Sequence, residues 1–511
     1  MFFAKIHSAQ GQLLDADGID IEIDVSNGLH SFTIVGLPDK AIEESKDRIS
    51  SAIAHSGVVS PKKKNRKIVI SLAPADLRKN GTHFDVPIAL AYLKAIGEIK
   101  FNADKKIFLG ELSLDGKLRP IHGVLPVVNF AKQNGYEEVF LPKGNAKEAA
   151  LISNIKIWGA RNLKEIMNHL SKTKIGKRLS IQAPTYLKRE GRVFDCFSDI
   201  KGNEQAKRGL EIAAAGGHHI AMFGPPGTGK TMLSKCFISI LPPLKTKEVI
   251  ECTSISSINT KEKKLSNIQL TPPFRSPHHT SSYVALIGGG GGNNSLKPGE
   301  ITLSHNGVLF MDEFPEFERR VIESLRQPLE DKSITILRAN KSLTLPANFI
   351  LIATMNPCPC GYFKTGIKPC VCTQGSIQKY HKKISGPIID RIDIWIEVSK
   401  VDYKKINSGR NKSVNETLGI RNRVAKTRMI QTQRAGKLNS ELTVRELSSF
   451  CKLDNKVLST LNQAAEKLTL SARSYHKVLK LSRTIADLDN SEKIKIPHIL
   501  EALQYRQKNM N

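Results

Sequence analysis

The stretch FGPPGTGKT at residues 223–231 constrains the fold of this chain more than any other feature. The run HHIAMF leads into it and MLSKCFISIL follows it, which predicts a strand, a glycine-rich loop and a helix in that order. Such a loop lets backbone N–H groups wrap phosphates, and the helix N-terminus adds a positive dipole. The predicted ATP-binding residues are Gly224, Pro225, Pro226, Gly227, Thr228, Gly229, Lys230 and Thr231.

Two of these side chains, together with a pair of carboxylates, predict ATP hydrolysis with Mg²⁺. Lys230 would offset the charge of the β- and γ-phosphates, and the Thr231 hydroxyl can ligate Mg²⁺. The segment GVLFMDEF (307–314) is an apolar strand that ends in Asp312 and Glu313. Asp312 would hold Mg²⁺ through water, and Glu313 would act as the general base on the attacking water. An apolar run ending in two acids is otherwise often only a strand end.

Three further polar residues are candidates for the same reaction. LIATMNP (351–357) predicts a buried strand that ends at Asn356, whose amide can orient the lytic water. Arg391 precedes a predicted strand and Arg473 begins a predicted helix, and arginines near a γ-phosphate stabilise transition-state charge. Taken alone, each arginine could equally be a surface cation.

Together these segments resemble AAA+ ATPases, and within them the magnesium-chelatase-like branch. The resemblance implies a sensor 1 role for Asn356, a trans-acting arginine finger at Arg391 and a sensor 2 role for Arg473. A trans-acting arginine implies a ring, usually a homo-hexamer. The segments that carry the resemblance are GPPGTGKT, FRSPHHTSSYVALIGGG (274–290), KPGEITLSHNGVLFMDEFPEF (297–317), ESLRQPLED (323–331), ATMNPCPCG (353–361), SGPIIDRID (385–393) and LSARSYHKVLKLSRTIADL (470–488).

Two insertions suit this branch. Residues 274–294 would be its helix-2 insert, and SITILRANKSLTLP (333–346) alternates like a hairpin and resembles a presensor-1 hairpin. Such elements point into the pore in helicases of this clade. Arg338 and Lys341 are therefore candidate DNA-binding residues, although an exposed hairpin with ordinary surface cations fits the sequence equally well.

The first 170 residues resemble a Lon-protease-like α+β domain. KNGTHFDVPIALA (79–91) aligns with the segment that carries the protease serine, and residues 118–142 align with the segment that carries its lysine. Those two positions fall near His83 and Leu125, and a leucine cannot serve as a base. We therefore expect a domain without proteolytic activity.

The combination of parts resembles the YifB/ComM family over nearly the whole chain. We expect an α/β multidomain protein: a Lon-like domain at 1–170, a basic linker at 171–192, an AAA+ P-loop core with a parallel sheet at 193–400 and an all-α lid at 401–511. The resemblance implies an ATP-dependent helicase for branch migration during recombination or natural transformation. The alternatives are a magnesium-chelatase motor subunit, an ATP-dependent protease and a regulatory ATPase that does not translocate.

Charge favours DNA as the partner, single-stranded or branched. The chain has a net charge of +29, and residues 401–511 hold 22 Lys and Arg against 10 Asp and Glu. Basic surfaces gain affinity from counterion release at phosphate backbones, although a generally basic proteome would also give such charge. The sequence has no apolar run of about 18 residues, which predicts no membrane span, and its N-terminus lacks a signal-like apolar stretch, which favours a cytoplasmic protein.

Four cysteines form the spacing C-x-C-x₉-C-x-C: Cys358, Cys360, Cys370 and Cys372. Four thiolates this close could bind a structural Zn²⁺, although the C-x-C arms are tighter than the usual C-x₂-C. Free thiols in a reducing cell or a redox pair remain alternatives.

Overall fold

A computed structural model describes residues 2–171, 178–185, 197–259, 268–290, 296–338, 341–400 and 416–507. Contacts divide the chain into two compact units, each interrupted once in sequence. Unit 1 consists of Met1–Lys188 and Lys245–Gln269, and unit 2 of Arg189–Leu244 and Leu270–Asn511. No helix in the described ranges is both long and apolar enough to cross a lipid bilayer.

Unit 1 is built on a seven-stranded mixed sheet in the order β3-β4-β2-β1-β5-β8-β9. Apolar and polar residues alternate at 19–25 within β2, whose apolar side chains are buried and which pairs with β1 and β4. The strands are β1 (Phe2–Gln12), β2 (Asp15–Asn27), β3 (Ser31–Val35), β4 (Arg66–Ala73), β5 (Lys106–Phe108), β8 (Glu138–Pro142) and β9 (Lys156–Ala160), with β6 (Glu111–Leu112) and β7 (Leu118–Arg119) as a separate hairpin.

Helices complete unit 1. Helix α3 is apolar on nearly all sides and is almost wholly buried. The helices are α1 (Lys40–Glu43), α2 (Ser45–His55), α3 (Asp85–Ala95), α4 (Val124–Gln133), α5 (Ala146–Ala149), α6 (Leu163–Leu170) and α9 (Thr246–Asn259). Helix α9 packs on α4 although more than 110 residues separate them in sequence. Within the predicted linker, the Gln182 N–H donates to the Ile157 carbonyl at 2.9 Å.

Unit 2 has a five-stranded sheet in the order β11-β14-β17-β10-β18, and every neighbouring pair is parallel. Its central strands are continuous apolar runs, as expected for a parallel sheet covered on both faces. The strands are β10 (Ile220–Phe223), β11 (Phe274–Arg275), β14 (Gly307–Met311), β17 (Phe349–Met355) and β18 (Ile394–Glu397). The α/β fold with a parallel sheet is confirmed.

Two hairpins stand outside this sheet. They are β12 (Gly288–Gly290) with β13 (Leu296–Pro298), and β15 (Ser333–Arg338) with β16 (Lys341–Pro346). The second is the hairpin predicted at 333–346. The helices of this region are α7 (Glu204–Gly216), α8 (Lys230–Ile240), α10 (Tyr283–Ile287), α11 (Glu300–Leu303), α12 (Arg319–Ser324), α13 (Arg326–Asp331), α14 (Gln374–His381) and α15 (Gly386–Ile389).

The described C-terminal residues are helical, as predicted. They form α16 (Glu416–Ala435), α17 (Val444–Phe450), α18 (Asn455–Lys467), α19 (Ala472–Leu488) and α20 (Ile496–Gln504). The helix predicted to begin at Arg473 corresponds to α19, whose N-cap Ser471 accepts a hydrogen bond from the Ser474 N–H. Leu479, Ile485 and Ile499 join the apolar core of unit 2.

A buried ion cluster ties these helices together. Both carboxylate oxygens of Asp487 accept hydrogen bonds from Arg434 at 2.7 Å, and Arg483 adds a third at 3.1 Å. The Asn439 amide donates to the same carboxylate at 2.9 Å. Asp487 and Arg483 are both buried. This buried carboxylate is therefore fully partnered by charged and polar donors inside the helical region.

Candidate active site

Three polar loops meet at one edge of the parallel sheet in unit 2. Strand β10 leads into the phosphate loop, β14 into Asp312 and Glu313, and β17 into Asn356. Since β17 lies between β14 and β10 and all three run parallel, their carboxyl ends lie side by side. Ligands of such sheets bind at this edge.

The phosphate loop holds Lys230 in a preformed position. Helix α8 begins at Lys230, directly after Gly229, whose φ of +89° favours glycine. The Lys230 Nζ donates to the carbonyls of Gly224 at 2.7 Å and Pro225 at 2.8 Å, and to the Asn356 Oδ1 at 3.2 Å. Burial lowers the pKa of Lys230 to about 8, against the opposing effect of Asp312 and Glu313. The ammonium is thus oriented by neutral acceptors at the loop.

The Thr231 hydroxyl and the Asp312 carboxylate are in direct contact. The Thr231 Oγ1 donates to the Asp312 Oδ2 at 2.9 Å. The other oxygen, Oδ1, accepts from the Oγ1 of Thr354 on β17 and, at 3.1 Å, from the Glu313 N–H. A hydroxyl and a carboxylate are hard oxygen donors of the kind Mg²⁺ prefers, so these two residues fit the predicted metal role.

Glu313 combines a fixed backbone with an accessible side chain. Its φ of +51° and ψ of +48° place a non-glycine residue in the left-handed region, which costs energy and is common at functional sites. The Glu313 N–H also donates to the Thr354 Oγ1 at 3.3 Å. Its carboxylate is about half exposed and its Oε2 lies 3.5 Å from the His279 Nδ1.

The two predicted arginines come together on a carboxylate that sequence reasoning missed. Arg391 forms an ion pair with Glu330 on α13, and the Arg473 Nη2 lies 3.5 Å from the other Glu330 oxygen. Arg391 also donates to the Pro387 carbonyl at 2.8 Å. The structure therefore joins Arg391 to Arg473, whereas Lys230, Thr231, Asp312 and Asn356 form a separate group at the phosphate loop.

The cysteine cluster lies next to that loop. The four Sγ atoms all lie within 4.8 Å of one another. Cys358 is 3.3 Å from Cys360 and 3.7 Å from Cys370, and Cys360 is 3.6 Å from Cys370. A Cβ added at Gly361 would come within 2.6 Å of the Pro226 Cδ, so the cysteine loop packs closely on the phosphate loop.

The hairpin residues and the basic C-terminus give a mixed picture. Arg338 and Lys341 pair directly opposite each other at the end of the ladder, next to residues 339–340, which lie outside the described range. Ile336 in β15 packs against Gly288 in β12, so the two hairpins are in contact. Several C-terminal cations form internal ion pairs, as Arg423 does with Glu211 at 2.6 Å. The net positive charge of the C-terminal region therefore exceeds the charge that is available to bind a partner.

Two residues at the site had no role assigned from sequence. Thr354 is the only polar residue in the otherwise apolar strand β17. A hydroxyl in such a strand is unusual, and this signal could have identified Thr354 from the sequence. His279 lies in the quoted motif SPHHT, but its proximity to Glu313 depends on a contact between distant segments. In unit 1, Leu125, which the sequence comparison placed near the protease lysine, is fully buried, and burial lowers the pKa of His83 to about 4.

Family models and known proteins match almost the entire chain. The model for magnesium chelatase, subunit ChlI, matches residues 196–406, that for subunit ChlI of Mg-chelatase residues 21–145, and that for the ChlI C-terminal region residues 415–506. Competence protein ComM of Haemophilus influenzae is 41% identical over 508 residues, which cover 99% of this chain and 98% of that protein. The protein YifB of Escherichia coli is 38% identical over 512 residues, covering 99% and 97%. The DNA replication licensing factor Mcm6 of Drosophila melanogaster is 23% identical over 331 residues, covering 61% and 37%.

Proposed function

Since the chain belongs to the YifB/ComM family of magnesium-chelatase-like proteins, we propose that it is an ATPase that moves DNA as a helicase and promotes branch migration. This branch migration would serve recombination or natural transformation in the cytoplasm. The observation that carries the ATPase part is the hydrogen-bonded group of Lys230, Asn356, Thr231 and Asp312 at the ends of three adjacent parallel strands.

Each residue of this group has a defined role in hydrolysis. Backbone N–H groups of residues 227–231 bind the phosphates, and Lys230 exchanges its carbonyl partners for phosphate oxygens. Thr231 and Asp312 would hold Mg²⁺, which offsets phosphate charge when bound. Glu313 accepts a proton from the attacking water, and Asn356 orients that water beside the γ-phosphate.

The remaining arginines support a proposal of a ring. Arg391 and Arg473 are gathered on Glu330, apart from Lys230 and Asp312. An arginine finger that acts on a neighbouring subunit would be held by contacts of this kind, outside the hydrogen-bonded group of its own phosphate loop. We therefore propose a homo-hexamer in which Arg391 completes the ATP site of the adjacent copy and Arg473 acts as sensor 2.

Four observations support DNA as the load. The chain carries +29 net charge, and the hairpin of β15 and β16 ends in Arg338 and Lys341. The name of the similar ComM protein refers to competence, and Mcm6 is named for DNA replication. We propose that Arg338 and Lys341 contact single-stranded or branched DNA.

The cysteine cluster is proposed to hold a structural Zn²⁺. Four sulfurs around a tetrahedral zinc at 2.3 Å lie about 3.8 Å apart, and three of the separations here are 3.3, 3.6 and 3.7 Å. The Phe363 N–H donates to the Cys358 sulfur and the Cys360 N–H donates to the Cys372 sulfur, and outer contacts of this kind orient metal ligands. One zinc per purified chain is expected by atomic emission. Four thiols that react with a thiol reagent, with no metal, would contradict it.

The decisive experiment measures ATP-dependent branch migration on a synthetic four-way junction. Lys230→Ala should abolish both ATP hydrolysis and migration, because the phosphates lose their main cation. Lys235→Ala is the matched control, since Lys235 is an exposed lysine on the same helix. Normal ATPase activity without DNA binding, DNA stimulation or strand movement at moderate salt would refute the helicase proposal.

A magnesium-chelatase motor subunit is the second candidate, because the matching family models carry that description. Such a motor would drive metal insertion into a porphyrin through partner subunits. It would share the ATP site and hydrolyse ATP, but DNA would not stimulate it. A casein-type assay with ATP tests the third candidate, an ATP-dependent protease, and robust cleavage that is lost in Glu313→Gln would support it.

A further inference from the structure

Several chain segments meet at one end of the sheet in unit 1. Strands β4, β2 and β1 are neighbours in that order, and Phe2 begins β1 beside the end of β2. Asn27 of β2 is paired with Arg66 of β4, and a backbone hydrogen bond of 3.2 Å joins the residues that follow β2 to those that precede β4. We call this surface the basic corner, and it consists of Phe2, Phe3, the turn at 28–30 and the loop at 61–67.

Positive charge is concentrated at the basic corner. The loop PKKKNRK at 61–67 holds five Lys and Arg, and neither 25–38 nor 48–75 contains Asp or Glu. Lys62 pairs with Asp47 at 2.6 Å. The other three lysines of this loop form no ion pair with any described residue, and they are Lys63, Lys64 and Lys67. Such a group of cations favours a polyanion, which releases condensed counterions when it binds.

Two consecutive aromatic side chains are exposed beside these cations. Phe2 is 47% exposed and Phe3 is 67% exposed. Because side chains alternate along a strand, the two rings lie on opposite faces of the sheet. The Arg66 guanidinium lies 5.8 Å from the centre of the Phe2 ring, so a cation already covers that ring. Asp24 is paired with Phe3 across the ladder, and the Phe3 ring is the more accessible of the two.

We propose that the basic corner binds single-stranded DNA, with an unpaired base stacked on Phe3 and phosphates on the loop at 61–67. This inference deepens the proposed function and rests on it. Aromatic rings beside a basic groove bind single strands with little sequence preference, because every base has a stacking face. The bases of a duplex are already stacked on one another, so a duplex gains only the phosphate contacts. The motor would then hold DNA at a surface distinct from the hairpin of β15 and β16.

The test measures binding of a fluorescent oligothymidylate of about 30 nucleotides to the full chain by anisotropy, without ATP and across a range of salt. Lys63→Ala, Lys64→Ala and Lys67→Ala together should reduce the slope of log K against log salt by about 2, because each phosphate contact of a single strand contributes about 0.7. Binding at about 0.15 M salt should weaken roughly 10- to 100-fold.

A second triple variant is the matched control. Lys132, Lys147 and Lys164 are exposed lysines elsewhere in unit 1. Their combined replacement by Ala should leave both the affinity and the salt slope close to wild type. The ATPase rate without DNA should match the wild type in both triple variants, because none of these lysines belongs to the ATP site, and this rate shows that the variants are folded.

Phe3 separates stacking from charge. Phe3→Ala should weaken binding of the single strand by about 5- to 150-fold, the usual loss of one stacked base, with the salt slope unchanged. Phe3→Trp should retain binding, and a duplex of equal length should bind Phe3→Ala and the wild type alike. Equal losses for the single strand and the duplex would contradict stacking on Phe3.

The remaining outcomes distinguish this inference from the proposed function. If the wild type binds the oligonucleotide and the lysine variant and Phe3→Ala both match it, this inference fails while the proposed function stands. If the wild type binds neither single-stranded nor branched DNA, the proposed function itself fails. Vesicles of about 30% phosphatidylserine in phosphatidylcholine test a membrane as the partner. Loss of vesicle binding in the lysine variant, with oligonucleotide binding intact, would also overturn the inference.

Discussion

Thr354→Val tests the hydrogen-bonded group at the metal position with a substitution of nearly unchanged shape. Thr354 is fully buried and its hydroxyl donates to Asp312 while accepting from the Glu313 N–H. A hydrogen bond to a charged group contributes about 1.5–3 kcal/mol. If that energy orients Asp312 toward Mg²⁺, its loss corresponds to a factor of about 10 to 150. We expect either a higher Mg²⁺ requirement or a lower kcat by that factor in an ATPase titration against Mg²⁺.

Thr354→Ser is the matched control because it retains the hydroxyl and loses only a methyl group. It should stay within a fewfold of the wild type. Thermal unfolding of Thr354→Ser should remain close to wild type, and Thr354→Val should lower the free energy of unfolding by at most about 1.5–3 kcal/mol, since the Glu313 N–H keeps its second acceptor in Asp312. Unchanged kcat and Mg²⁺ dependence in Thr354→Val would show that the Asp312 carboxylate is held in place without this bond, and the reasoning would be wrong.

Three further outcomes follow from contacts in unit 2. In a denaturant titration, Asp487→Ala should lower the free energy of unfolding by about 3–5 kcal/mol, because it leaves buried arginines unpaired. Asp454→Ala breaks an exposed ion pair and should change the same free energy by less than about 0.5 kcal/mol. Glu330→Gln should remove the ion pair that holds Arg391. If Arg391 acts on the ATP of a neighbouring subunit, the ATPase rate should change only at protein concentrations at which subunits associate. An equal change in dilute monomer would contradict this trans role. Burial lowers the pKa of His219 from 6.5 to about 4. As the pH falls from 6.5 to 4, His219 is therefore protonated in the unfolded chain before it is protonated in the folded chain, and the free energy of unfolding should decrease. His219→Asn should flatten this dependence of stability on pH, and an identical dependence in the variant would refute the assignment.

Much of the fold could be predicted from local patterns. The alternation at residues 19–25 specifies a half-buried strand, and the continuous apolar runs before Asp312 and Asn356 specify central parallel strands. The hairpin at 333–346 could be predicted because its alternation changes at a short polar turn. In each case the hydrophobic pattern lies within one strand or hairpin, and it is set by which faces of that element are buried.

The parts that could not be predicted depend on contacts between distant segments. Glu330 meets Arg391 and Arg473 although 61 and 143 positions separate it from them. Helix α9 has no amphipathic pattern that would assign it to unit 1. His279 reaches Glu313 only because β11 pairs with β14 in parallel, which brings the loop after one strand near the loop after the other.

The interruption of each unit has a consequence for biosynthesis. Unit 1 requires α9, and the ribosome completes α9 only after it has made the phosphate loop and α8. The N-terminal sheet therefore emerges long before the helix that covers α4, and the first strand of the ATP site emerges in between. Domains generally fold as units during synthesis, but here the nascent chain cannot finish either unit before it has begun the other.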